Sequence, residues 1–122
     1  MKELLKALLS SDIGERKQAV EQIINEKPVE LKSELLKIVE SGPSYAKAIA
    51  LQAYSKIISK EEVEGLLVFT KNKDWHIRLE ALKGVASILG KDSVDYIKPF
   101  LLDRSHGVRS EVQGILSKFN IK

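Results

Sequence analysis

The chain has 122 residues, 43% of them apolar and 30% charged, which suits one globular domain with a real core and excludes a disordered polymer. It has no cysteine, so disulfides and thiolate metal sites are excluded and a cytoplasmic setting is expected. The net charge of +3 comes from 20 basic and 17 acidic side chains spread evenly, and with no basic arm or long apolar run the composition demands neither nucleic acid nor a membrane as partner.

Residues 2–10 carry acid and base inside an apolar stretch and read as an amphipathic helix rather than a signal peptide. Asp12 is a candidate N-cap for a helix running to 25–27, and Pro28 opens the next one, where proline is tolerated. Gly42 and Pro43 then separate it from a helix over 45–58. Residues 61–70 form another, and Glu61, Glu62 and Glu64 cluster at its start, where acid suits the helix dipole. Asp74 caps a longer helix in which Ile77, Ala81, Leu82, Val85, Ile88 and Leu89 recur at helical spacing, and Gly90 ends it. Val94, Ile97, Phe100 and Leu101 make the stripe of its successor, closed by Asp103, and residues 105–119 make the last helix. Pro99 lies inside a helical pattern without an N–H for the carbonyl of Asp95, so a kink or local opening is expected there.

Residues 31 apart share chemical character along the whole chain. Arg16, Lys47, Arg78 and Arg109 form one column; Ala19, Ala50, Ala81 and Val112 form another; Leu4, Leu35, Leu66 and Ile97 form a third. Such a fixed period is the signature of a repeat array. Each period holds two helices and no strand, and loops of about 2–5 residues pack consecutive helices antiparallel. The expectation is therefore an all-α protein: a right-handed α-solenoid of antiparallel helix pairs, about seven helices in one domain. A half-unit at 1–11 precedes repeats at about 12–42, 43–73 and 74–104, and a half-unit at 105–122 follows. No pair buries its apolar stripe alone, so stability comes from stacking, and the small-residue column lets neighbouring backbones approach.

The tetratricopeptide signature of Trp, Gly, Tyr and Pro does not fall in register, and the ankyrin Thr-Pro-Leu-His turn is absent. The stretch Asp74-Trp75-His76-Ile77-Arg78-Leu79-Glu80-Ala81-Leu82-Lys83-Gly84-Val85, with Leu89-Gly90 after it, resembles a HEAT repeat. Gly107-Val108-Arg109 repeats the core of that pattern, and Asp12, Arg16 and Ala19 repeat it more loosely. In the second unit Pro43 replaces the Asp and Lys47 the Arg. The short period is similar to prokaryotic HEAT-like units. The resemblance implies a curved, non-enzymatic scaffold that binds a protein partner along its inner, concave helices; one branch of HEAT-like folds binds DNA. It describes a fold rather than a chemistry.

Several residues then compete for functional and structural readings. The basic column Arg16, Lys47, Arg78 and Arg109 reads as inter-unit glue, with Asp12, Asp74 and Asp103 as natural partners, or else as a phosphate ladder. Lys71, Lys73, His76, Arg104 and His106 gather in turns at one edge, where helix N-termini favour anions; this is the candidate nucleic-acid interface, or a solvated charged edge. Trp75, the sole tryptophan, either anchors a partner or plugs a helix end. On the inner helices the column Lys6, Lys37, Val68 and Pro99 should face away from the core, changing from basic to apolar along the chain. Val68, Tyr96, Pro99 and Leu102 form the candidate docking patch for a protein partner. His76 and His106 lack metal spacing, so no metal or cofactor is expected, and no nucleophile–base pair or phosphate loop suggests an enzyme. Gln113 looks like a polar cap, yet Leu5 and Leu9 at one end and Ile115 and Phe119 at the other leave the choice between a monomer and an end-mediated homodimer open.

Overall fold

A computed structural model describes residues 2–121, among which there is no strand. Eight α-helical segments occur against the seven or so expected; three pairs and two half-units in fact add up to eight. The chain divides into two compact units, Met1–Ile58 and Ser59–Lys122. That division falls inside the stretch 43–73, between its two helices.

The first unit holds α1 (Lys2–Leu8), α2 (Ile13–Glu26), α3 (Lys32–Ser41), entered through a 3-10 turn at Val29–Leu31, and α4 (Ser44–Ile57). Here α1 packs on α2, α2 on α4, and α3 on α4. Leu8, Ile23, Leu35, Ala50 and Leu51 are fully enclosed, so the columns at 4/35 and 19/50 point inward as the period requires. The Tyr45 hydroxyl donates to the Leu9 carbonyl (2.6 Å), and the Arg16 guanidinium sits 4.9 Å from the Tyr45 ring centre. Leu5 and Leu9 are half-buried.

The second unit begins with a 3-10 turn at Lys60–Glu62, where the Glu62 carboxylate accepts from the Ser59 N–H (3.1 Å). Then come α5 (Glu64–Leu67), a 3-10 turn at Val68–Lys71, and α6 (Trp75–Leu89). A 3-10 turn at Gly90–Ser93 leads to α7 (Val94–Ile97), a further one at Lys98–Leu102 follows, and α8 (His106–Lys118) closes the unit. Leu82, Ile97, Val108, Val112, Ile115 and Leu116 are core, with Phe100, Leu101 and Phe119 packed against them. Ile115 and Phe119 thus serve this core, while Gln113 is exposed.

Pro99 does not break a helix so much as sit in a tight one. The α-helix stops at Ile97 and continues as a 3-10 helix, a tightening in place of the kink or opening expected. Yet Val68, one period earlier, also opens a 3-10 turn without any proline. The tightening recurs in both such segments of the second unit, whereas the equivalent Lys6 and Lys37 lie in regular α-helix, so proline is not required for it and the repeat position alone does not impose it.

The period is written most clearly in the turns. The Ser10 Oγ, Asn72 Oδ1 and Asp103 Oδ1 atoms accept from the N–H two residues on, at 3.0, 2.8 and 2.8 Å. The donors, Asp12, Asp74 and Ser105, then use their own side chains to cap α2, α6 and α8. Four residues later Arg16, Arg78 and Arg109 each reach back with Nη1 to the carbonyl of Ser10, Asn72 or Asp103, at 2.8, 2.9 and 2.6 Å. The turn at 41–47 has none of this. Pro43 offers neither an N–H nor a capping oxygen, and the Ser41 hydroxyl donates instead to the Lys37 carbonyl (3.1 Å). Asp12 and Asp74 are therefore caps rather than partners of the basic column; among the three acids expected to pair with it, Asp103 does so.

Gly90 has φ 58° and ψ −134°, a region nearly reserved for glycine, and no atom lies near where a Cβ would stand. Gly90→Ala should therefore cost about 1–3 kcal/mol purely through backbone strain. Urea unfolding followed by circular dichroism measures it, and an unchanged midpoint would refute the strain.

Candidate binding groove

The side chains singled out as docking or anion-binding residues all lie in the second unit, so their arrangement can be built there. Its foundation is Arg78. Its Nε–H and Nη2–H donate to Asp103 Oδ2 and Oδ1 at 3.0 and 2.9 Å, a two-pronged pair with both side chains only 6% exposed. Nη1 is occupied by the carbonyls of Asn72 and Lys73, at 2.9 and 3.1 Å. Burial alone pushes the Asp103 carboxyl up. The Arg78 bonds, the Ser105 N–H, and the charges of Arg78 and Arg104 outweigh it and hold the group below the usual carboxylate value. This pair ties the start of α6 to the turn before α8 and is fully used within the fold.

Above it lies an open groove of about 370 Å³, lined by Thr70, Lys71, Asn72, Phe100, Asp103 and Arg104, with Arg78 at its base. Its walls come from the two 3-10 turns, Val68–Lys71 and Lys98–Leu102. In a 3-10 helix residues three apart eclipse, so Val68 shares a face with Lys71 and Pro99 shares one with Leu102. Val68 is 69% exposed and Leu102 90%, large apolar side chains left in water on the same turns, though neither lines the groove. Pro99 is exposed as well, and so is its whole column, Lys6, Lys37 and Val68 included. Tyr96, 49% exposed, belongs to α7 and does not line the groove.

The basic edge splits. Arg104 Nη2 approaches the Lys73 carbonyl at 3.4 Å, a long and weak bond, and Lys71 and Arg104 line the groove. Among the described residues no carboxylate pairs with Lys71, Lys73 or Arg104 within salt-bridge distance. His76 is spent locally: its ring nitrogen Nδ1 lies 3.1 Å from Asp74 Oδ1, and its N–H donates to the same oxygen at 2.9 Å. Burial raises the Asp74 carboxyl, but these bonds and the charges of His76 and Arg78 bring it net below its ordinary value. His106 is exposed at the start of α8.

Trp75 reaches from α6 across to α8. Its ring stacks on His76 (centres 3.8 Å apart) and covers Gly107 so closely that a Cβ there would stand 2.8 Å from ring carbon Cζ3. Trp75 is thus mostly a lid over the start of α8, although 39% of it stays exposed. The sequence hint was Gly107 itself, a glycine in the first turn of a helix with no need of a special φ. Gly107→Ala should displace the indole and shift the protein's only tryptophan emission, with stability changed by less than about 1 kcal/mol as helix propensity offsets the contact. Identical emission spectra would show that the ring does not rest there.

Among the described residues no group of three or more His, Asp or Glu could hold a metal, and no helix is long and apolar enough to cross a membrane. Comparison with protein families, with characterised proteins and with solved structures finds no match. Among the described residues the molecule is all-helical, and its second unit carries a groove lined by Lys71 and Arg104 together with Phe100.

Proposed function

We propose that this protein is a non-enzymatic scaffold that binds a protein partner through its inner helices, built as a right-handed α-solenoid of antiparallel pairs related to short HEAT repeats. The observation that carries the reading is the exposure of Val68, Tyr96, Pro99 and Leu102, on the segments this reading makes inner, while their neighbours Leu66 and Ile97 are completely enclosed. Ordinary core segments have no reason to present so much apolar surface next to groove walls. The 31-residue recurrence of acceptor, cap and arginine in the turns supports the repeat assignment.

Affinity capture from the native source, run in parallel with Val68→Glu and Tyr96→Ala, tests the reading. A partner retained by the parent protein and lost by both variants is the expected result. A partner held equally by all three removes the patch assignment. The competing use of the basic edge, nucleic-acid binding, predicts affinity that falls steeply with salt.

A further inference from the structure

We infer that the groove between the Val68–Lys71 and Lys98–Leu102 turns takes an extended, acidic peptide segment in which a carboxylate side chain and an apolar side chain stand two residues apart. This rests on the docking reading above and specifies the chemistry of its partner. Lys71 and Arg104 of the basic edge line the groove, and Val68 and Leu102 of the apolar patch stand exposed on the two turns that supply its walls, outside the lining itself. Thr70 and Lys71 line it from one turn, Phe100 from the other, and Arg104 from just beyond.

The charge argues for an anionic occupant. Asp103, the one carboxylate in the lining, is committed to Arg78 through two bonds, so that pair adds no net charge. Lys71 and Arg104 remain, each without a carboxylate within salt-bridge distance among the described residues. An acidic side chain entering between them gains two cationic neighbours and displaces none.

The shape argues for a chain rather than a small anion. A free carboxylate or phosphate would engage Lys71 and Arg104 and leave Val68 and Leu102 in water. Val68 and Lys71 are eclipsed three residues apart along a 3-10 helix, about 6 Å at its rise of roughly 2 Å per residue. Side chains two apart on one face of an extended strand are separated by about 6.5–7 Å. One face of an extended peptide therefore meets the apolar and the cationic group together.

Selection from a displayed library of short random peptides on the intact protein, with counter-selection on the double variant Lys71→Glu/Arg104→Glu, tests the inference. Both side chains are exposed, and matching urea unfolding curves check that the fold is kept; Lys71→Gln/Arg104→Gln replaces the pair if they differ. The expected outcome is enrichment of Asp or Glu two positions from Leu, Ile or Phe, with affinity at least tenfold weaker for the double variant and for Val68→Asp. Enriched peptides that are neutral, and that depend on Val68 but not on the two cations, overturn the acidic partner and leave the docking reading standing. No enrichment, or selected peptides indifferent to all these changes, overturns the inference. Failure of the library beside salt-sensitive binding of a labelled oligonucleotide removes both readings.

Discussion

Asp103→Ala is expected to destabilise the protein by about 3–5 kcal/mol, because it strands the Arg78 guanidinium in a site where its side chain is 6% exposed. Three losses coincide. The two charge-assisted bonds at 2.9 and 3.0 Å disappear, the Ser105 N–H loses its acceptor, and Arg78 keeps a full charge with no bonded carboxylate. The cost reflects the orphaned charge more than the worth of the pair. Removing both partners together, as Arg78→Met/Asp103→Leu, should therefore recover much of the loss, although the carbonyls of Asn72 and Lys73 then need water. Urea unfolding of the parent and the single and double variants gives these differences. A single-variant loss below about 1 kcal/mol would mean that the pair is solvated and the turn adaptable.

The same carboxylate sets an acid limit. Its folded-state value lies below that of the unfolded chain, so it contributes stability at pH above the unfolded value of about 3.9. That contribution is lost as pH falls through the folded value, since both states are then protonated. Asp74 acts in the same direction through its bonds with His76. The parent should lose stability progressively below about pH 4, and the Asp103→Ala variant should show a flatter slope there. Parallel slopes would place the acid sensitivity elsewhere.

Much of the helical plan is legible in sequence because its causes are local. Asp12 and Asp74 cap where their spacing to the apolar stripe puts them, Gly90 ends α6 with a positive φ, and Pro43 starts α4. A cap needs only its own next few residues, so one sequence suffices to find it. The basic column is half legible: a guanidinium at a fixed repeat position suggests glue, but the acceptors lie six residues upstream on the backbone, where no side chain advertises them. Asp103 is distinguishable from Asp12 and Asp74 only once the turn geometry is seen. All three are acids near a helix start, yet two cap and one bridges.

The groove is less legible for a related reason. Periodicity places Val68 and Pro99 on one column and puts Lys71 with Arg104 at an edge, but α-helical spacing does not make Val68 eclipse Lys71. The 3-10 turns do that, and because the equivalent position in α3 stays α-helical the period does not announce them. Trp75 likewise reads as either a partner anchor or a helix-end plug until Gly107, 32 residues away, is found beneath it.

Leu82→Ala should cost about 2–5 kcal/mol, whereas Leu102→Ala, the same deletion in the same unit, should change stability by less than about 0.5 kcal/mol. Leu82 has no exposed surface and packs in the cluster with Val108, Val112 and Leu116. The cluster around it draws side chains from α6, α7 and α8 together, which limits relaxation into the cavity left behind. Leu102 is 90% exposed, so its truncation removes almost no buried surface. If Leu102 serves a partner, its loss appears only in binding, as weaker affinity for the acidic peptide with an unchanged unfolding midpoint. A residue that contributes to neither measurement is surface filler. One that lowers the midpoint belongs to the core and would have to leave the docking patch. The paired substitutions thus separate what holds this fold together from what it holds out to others, and equal losses of stability at the two sites would contradict the arrangement described here.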